Sequence, residues 1–433
     1  MISFYKALSE WSVVSAWGWQ AFSPEGVLIV NRRTFLTLAG GGFAWLISGC
    51  QRQRVIRLVS SLPRTGSAQG QTDTIVNGIR LALEEYEGQV AGLPIDYKDL
   101  DDATAAQGQW DAAKEADNAR EARGDPQVLA YIGPYNSGAS MVSQPILNEA
   151  GLVQISPSAT WPGLTKRVPN NDKDEPNIYR PSGKITFCRV CPNDFIQGPL
   201  SAVFAHTTLK VQSVYILDDK ELYGAGIATI FKQKCQELGI RVLGHDSIVA
   251  TQKNFKSVIR GIAALKPDML YFGGTSQSGA PQIAIDMLGE GLHIPLMVPD
   301  GCYEKAFIDA AGADTFRTIP CYATMGGYDP AFALTQGGSV AEFVRRYQAR
   351  YNKMPEAYAI YGYECAKVIL EAIQKVGQPD REAVRQAVLA TKDFDKGALG
   401  RWSFDEDGDT TLRVLTISRI VDGQFQPQQT IQE

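Results

Sequence analysis

Val128-Leu129-Ala130-Tyr131-Ile132-Gly133 runs straight into Pro134-Tyr135-Asn136-Ser137-Gly138, and from Ser137 to Ala150 the pattern turns helical. An apolar run of strand length, a turn and then a helix form half of a βαβ unit. Its neighbours repeat the rhythm on both sides. Upstream, Val55 to Ser61 reads as a strand. A loop with Pro63, Gly66 and Gly70 follows, then a helix capped at Thr72 or Asp73 that carries Ile75, Ile79, Ala82 and Leu83 to about Glu87. Pro94 to Leu100 reads as a strand and Ala105 to Arg123 as an exposed helix. Downstream, Leu152 to Ser156 is the fourth strand. Strands that alternate with helices predict an α/β fold with mostly parallel sheets.

Pro162 to Lys184 interrupts the rhythm with four prolines and Asn170-Asn171-Asp172, and is expected to be a surface excursion. The alternation restarts with Val211 to Leu217 and continues through Ala225 to Leu238, Arg241 to Val249, Phe255 to Leu265, Met269 to Phe272, Gln282 to Gly289 and Pro295 to Val298. Ile319 to Met325 adds a strand, Val340 to Tyr351 and Tyr358 to Val376 two helices, and Leu399 to Phe404 and Arg413 to Val421 two closing strands. The chain has 433 residues, more than one hydrophobic core usually serves, so two comparable α/β lobes are expected. Lobe I takes residues 51–191 and 326–398, and lobe II takes 192–325 and 399–433. Three crossovers near Cys191, Met325 and Ala398 join them.

Composition narrows the function. With 44% apolar and 21% charged residues the chain is ordinary globular protein, and its formal charge of −5 comes with scattered basic residues. A nucleic-acid partner needs a clustered positive face, so none is expected. Seven cysteines are too few for a disulfide scaffold, and three histidines far apart give no metal or haem spacing. No cofactor is expected.

The N-terminal 50 residues read as an address. Asn31-Arg32-Arg33-Thr34-Phe35-Leu36 precedes an apolar run to Ile47 and then Ser48-Gly49-Cys50. A basic region, a short apolar stretch and small residues before a cleavage point make a signal peptide. The run from Phe35 to Ile47 falls short of the ~20 residues of a membrane-spanning helix. Arg32 and Arg33 resemble a twin-arginine export motif, and Ile47-Ser48-Gly49-Cys50 resembles a lipobox, which implies a lipid anchor on Cys50. Residues 1–30 fit a start codon assigned too early.

Ligands in open α/β sheets sit beyond the carboxyl ends of the strands. Ser137 lies there at a helix N-terminus, where backbone N–H groups and the dipole favour a carboxylate, although any helix also uses a serine this way as a plain cap. Ile155-Ser156-Pro157-Ser158-Ala159-Thr160 makes a second hydroxyl-rich turn at the same edge. In the second half Asp218-Asp219, Gly273-Gly274-Thr275 and Pro299-Asp300-Gly301 end strands, and Asp300 faces a cationic group or only shapes a turn.

From Val55 to about Val421 the chain resembles the periplasmic branched-chain amino-acid-binding proteins, the type I solute-binding components of ABC importers. Asn77-Gly78-Ile79-Arg80, Tyr131-Ile132-Gly133-Pro134 with Ser137, Ile155 to Thr160, Asp219-Lys220-Glu221-Leu222-Tyr223-Gly224 and Phe272-Gly273-Gly274 carry the resemblance. It implies a type I periplasmic-binding-protein fold and a cleft that closes over a small polar solute. It also implies no catalysis, and delivery of the solute to ABC permease and ATPase subunits. Ser137, backbone groups at Ser158 and Ala159, and the Thr160 hydroxyl would hold an α-carboxylate and help with the α-ammonium. Tyr223 and Asp300 would approach from the other lobe. Gln71 and Thr275 stand where the family often has aromatics, which points to a more polar ligand: an amino acid, an amide or a urea-like solute.

Other chemistry is set aside. Cys188 and Cys191 have CxxC spacing but lie in a strand-like run instead of opening a helix. Cys302 and Cys321 follow strand ends and are candidates for a disulfide, while Cys235 and Cys365 read as core. A hydrolase using Ser137 or Ser276 lacks the nucleophile-elbow motif. Tyr358, Tyr361 and Tyr363, at helical spacing, are expected to pack.

Overall fold

The computed structural model describes residues 55–169, 174–249 and 252–432, so Arg32, Arg33 and Cys50 lie outside the described residues. In chain order the first half runs β1 Ile56–Leu62, α1 Gln69–Glu85, β2 Gln89–Val90, β3 Leu93–Asp101, β4 Ala103–Thr104, β5 Gln109–Trp110, α2 Ala112–Gly124, β6 Val128–Ile132, α3 Ser137–Asn148, β7 Val153–Ser156 and β8 Phe187–Arg189. The second half runs α4 Asp194–Thr207, β9 Ser213–Asp218, α5 Leu222–Glu237, β10 Arg241–Ser247, α6 Lys256–Leu265, β11 Met269–Gly273, α7 Ala280–Gly289, β12 Leu296–Val298, α8 Lys305–Ala311, α9 Thr315–Thr318 and β13 Cys321–Gly326. It closes with α10 Pro330–Gln336, α11 Gly338–Tyr351, α12 Ala359–Val376, α13 Arg381–Leu389, β14 Val414–Val421 and β15 Gln424–Gln432.

Two sheets result. The first has the order β2-β3-β1-β6-β7-β8 and is parallel apart from the β2–β3 edge. The second has the order β10-β9-β11-β12-β13-β14-β15, parallel as far as β13 and antiparallel beyond it. β6 is buried along its whole length, as is β11. Such strands carry unbroken apolar runs because helices cover both faces.

Several expectations are corrected. The residues expected as a helix from Ala105 begin instead as the β4–β5 hairpin, where Gly108 takes the left-handed φ of +66° that a side chain resists. α2 starts only at Ala112, capped by Asp111, which accepts the Lys114 N–H. α1 begins at Gln69, before Thr72 and Asp73, so neither residue caps it. The proline-rich segment after β7 is not a plain surface loop: Trp161, Leu164, Val168 and Tyr179 are buried as one cluster with Ile230. Glu175 holds that cluster, accepting the Trp161 indole N–H and the Tyr179 hydroxyl.

The third crossover comes later than Ala398. Residues after it stay with the first sheet: Trp402 donates to Glu364 on α12, and Arg189 of β8 bridges to Asp409. The chain joins the second sheet at Val414, and the expected strand from Leu399 to Phe404 is only a set of isolated bridges. Cys302 and Cys321 are free, buried thiols and not a disulfide. Cys321 starts β13 beside Leu296, whereas Cys302 lies in the turn past the far end of β12, its thiol directed to the Gly274 carbonyl. Cys188, Cys191, Cys235 and Cys365 are likewise free and buried.

Candidate functional site

The carboxyl ends of both sheets meet at one cleft. Tyr135, Asn136 and Ser137 reach it from β6, Ser158 from β7, Tyr223 from the loop and helix after β9, Thr275 from β11, and Asp300 and Gly301 from β12; Tyr358 reaches it from the start of α12. A second chamber shares Asn136, Ser137, Tyr223 and Thr275 and is completed by Gln109, Trp110, Gly138, Asp219, Glu221 and Ser278.

On one wall α3 starts at Ser137 with Asn136 as its cap, and no side chain accepts from its first turn. The leading N–H groups therefore remain available to an anion. Gly133 makes this approach feasible. Its φ is +118°, and a Cβ there would lie 2.4 Å from the Ser61 carbonyl. The Ser137 hydroxyl accepts the Trp161 N–H at 3.2 Å, which leaves its own proton to donate. Among the described residues the Tyr135 hydroxyl and the Asn136 side-chain oxygen have no hydrogen-bond partner.

On the opposite wall Asp300 is buried and accepts from three side chains: Tyr223, Tyr358 and, at 2.7 Å, the Gln197 amide. Gln197 also accepts the Asp300 N–H at 3.0 Å and the Thr324 hydroxyl at 2.6 Å, which fixes the carboxylate's orientation. Burial raises the Asp300 pKa, and the three donors act against that rise. Burial also raises the Tyr223 and Tyr358 pKa values, so both stay protonated donors.

Of the residues expected from sequence, Ser137, Ser158, Tyr223, Thr275 and Asp300 come together on the cleft lining. Ala159, Thr160 and Gln71 are buried and are not part of that lining. The backbone N–H groups of Ser158 and Ala159, expected on a ligand carboxylate, are both taken by the Ser156 hydroxyl, at 3.2 and 2.8 Å. The Ala159 carbonyl accepts from Arg189 at 2.7 Å. Both amide atoms of Gln71 are buried without a hydrogen-bond partner among the described residues. Tyr358 was expected to pack, yet it both lines the cleft and grips Asp300. No sequence signal marks it, since it reaches Asp300 from the start of α12, 58 residues further on.

A family model for the periplasmic binding proteins matches residues 55–424. The chain belongs to this family. Among relatives, the Leu/Ile/Val-binding protein BraC3 of Rhizobium johnstonii is 26% identical over 82% of this chain and 89% of its own length. The Leu/Ile/Val-binding protein homolog 2 of Brucella abortus is 28% identical over 81% and 86%. The leucine-binding protein LivK of Thermotoga maritima superposes with a TM-score of 0.76 at 25% identity, covering 87% of this chain and 99% of that one. A solute-binding protein from R. palustris in complex with benzoate gives 0.71 at 18% identity, covering 87% and 96%. The fold is therefore that of the type I periplasmic binding proteins, extracytoplasmic solute binders of ABC transport systems. Among the described residues no helix is long and apolar enough to cross a membrane.

Proposed function

We propose that this periplasmic binding protein captures an amino acid in the cleft by hinge closure and hands it to ABC permease and ATPase subunits without catalysing a reaction. Export through Arg32 and Arg33 and a lipid on Cys50 would hold it at the membrane surface. One observation carries the reading: a helix N-terminus with a free serine proton faces a buried carboxylate across one cleft. A zwitterion matches both walls, its carboxylate on the first turn of α3 and its ammonium on Asp300. The names of the relatives support the same ligand class.

Benzoate-type and urea-type solutes fit less well. Among the described residues the lining of both chambers contains Asp300, Asp219 and Glu221 and no Lys, Arg or His. An anion without an amine would meet buried carboxylates and no cation, which is costly in a low-dielectric site. A neutral urea would leave Asp300 uncompensated.

Isothermal titration of the purified chain with amino acids, benzoate and urea tests the reading. Amino acids are expected to bind, with Asp300→Ala losing at least tenfold in affinity. Tight benzoate or urea binding with no amino acid bound at millimolar concentration would overturn it. So would turnover of a bound solute that disappears in Ser137→Ala, which would make the chain a hydrolase. For the anchor, Cys50→Ala should release the protein from membranes.

A further inference from the structure

We propose that the captured amino acid carries a cationic side chain, which lies along the Trp110 indole and ends at Asp219. The proposal rests on the amino-acid reading above and assigns the chamber beside the first cleft to the ligand side chain. Asp219 is buried, and its Oδ1 accepts the Glu221 N–H at 3.0 Å. The Ser278 hydroxyl, which also bonds the Thr275 carbonyl at 3.1 Å, is a neutral donor to this carboxylate and brings no charge. The neighbouring His245 imidazole does not help either, because it pairs with Asp218 at 2.8 Å. Burial lifts the Asp219 pKa to about 6, still low enough to leave a carboxylate near neutral pH. A buried carboxylate held without a counterion is costly, and a ligand cation would remove that cost.

The rest of the chamber agrees. Glu221 adds a second carboxylate, and Gln109, Thr275 and Ser278 add polar walls. An aliphatic side chain would desolvate all of them and give nothing back. Trp110 supplies the broadest π face, beside Tyr223. It arrives on the β4–β5 hairpin and lies directly on the first turn of α3, where a Cβ on Gly138 would come within 2.7 Å of the ring. A cation over an indole face gains further attraction when desolvated.

Titration calorimetry of the wild-type chain with arginine, lysine, glutamine and leucine gives the first test. One of the two basic amino acids should bind at least tenfold more tightly than leucine and glutamine. Asp219→Asn should shrink the ratio of basic to leucine affinity by tenfold or more, and Trp110→Ala by several-fold. A wild-type ranking with leucine or glutamine tightest would overturn the side-chain assignment and leave the amino-acid reading standing. Binding of no amino acid at all would sink both. The wild-type ranking needs no variant to fold.

Discussion

Arg189 shows how a single side chain secures the site from behind. It is fully buried, and its guanidinium spreads over Asp409 at 2.7 Å, the Ala159 and Trp161 carbonyls at 2.7 and 2.8 Å, and the Thr165 hydroxyl at 2.5 Å. It thus fastens the loop after β7, whose Trp161 N–H bonds Ser137, to residues near the C-terminal end. Asp409 is held charged, below the usual carboxylate range, by Arg189 and Lys166 against the effect of its burial. Replacing Arg189 with Met strands most of this network. Urea denaturation should show a loss of roughly 3–5 kcal/mol, with part recovered when Asp409 is also made Leu. A loss below about 1 kcal/mol would mean the ion pair is no stronger than a surface one. At this scale sequence reading found what lies at strand ends. Ser137 and Asp300 could be read because a turn follows an apolar run. Tyr358 could not, because it reaches Asp300 from a segment 58 residues further on. Nor could the loss of the Ser158 and Ala159 amides to Ser156, since a local hydrogen bond of that kind leaves no pattern in composition or spacing.

Among the elements, α12 ties the molecule together. Gly78 on α1 and Gly362 on α12 let the two helices meet backbone to backbone: a Cβ on Gly78 would lie 2.1 Å from the Ala359 carbonyl, and one on Gly362 2.4 Å from the Ile75 carbonyl. Neither contact relaxes by turning a side chain, so Gly78→Ala should lower stability by about 1–3 kcal/mol or more in denaturant titrations, despite alanine's better helix propensity. A stabilised variant would show that the helices have room to part. α12 also carries Glu364, whose oxygens accept the Ala398 N–H at 2.7 Å and the Trp402 indole at 2.6 Å. Burial lifts its pKa from the ordinary 4.5 to about 7. The folded chain therefore binds this proton more tightly than the unfolded chain. The stabilisation is complete below about pH 4.5 and is lost as pH rises through 7. Glu364→Gln removes that dependence, so its stability relative to wild type should rise between pH 5 and 8, by up to roughly 3 kcal/mol. A constant difference across that range would refute the assignment. The alternation that placed most strands and helices was legible because each buries an apolar run. The β4–β5 hairpin was not, because Ala105, Ala106 and Gln107 suit a helix and only Gly108 opposes it. β15 escaped because its outer-edge sequence, Gln424 to Gln432, is largely polar and exposed.

For the whole molecule, the question is what brings the two sheets together around the cleft. Among the contacts that cross it are the Tyr358 hydroxyl to Asp300, the Tyr361 hydroxyl to the Gly326 carbonyl, and the Trp161 ring against α5 at Gly226, where a Cβ would come within 2.4 Å. The first uses the same carboxylate that the ligand ammonium needs. Tyr358 is thus either a clasp that favours closure or a competitor for Asp300, and the two roles predict different things. A hydrogen bond to a charged group contributes about 1.5–3 kcal/mol, enough to shift an open–closed equilibrium by roughly 10- to 150-fold. If Tyr358 is a clasp, Tyr358→Phe leaves Asp300 with Tyr223 and Gln197 and favours the open state. Small-angle scattering should then show a larger radius of gyration without ligand, a return to the wild-type radius at saturation, and weaker binding, because ligand energy must now close the cleft. The two-walled geometry of the site, with Asp300 still held by two other donors, favours this outcome. Tighter binding at an unchanged radius would instead make Tyr358 a competitor that the ligand displaces.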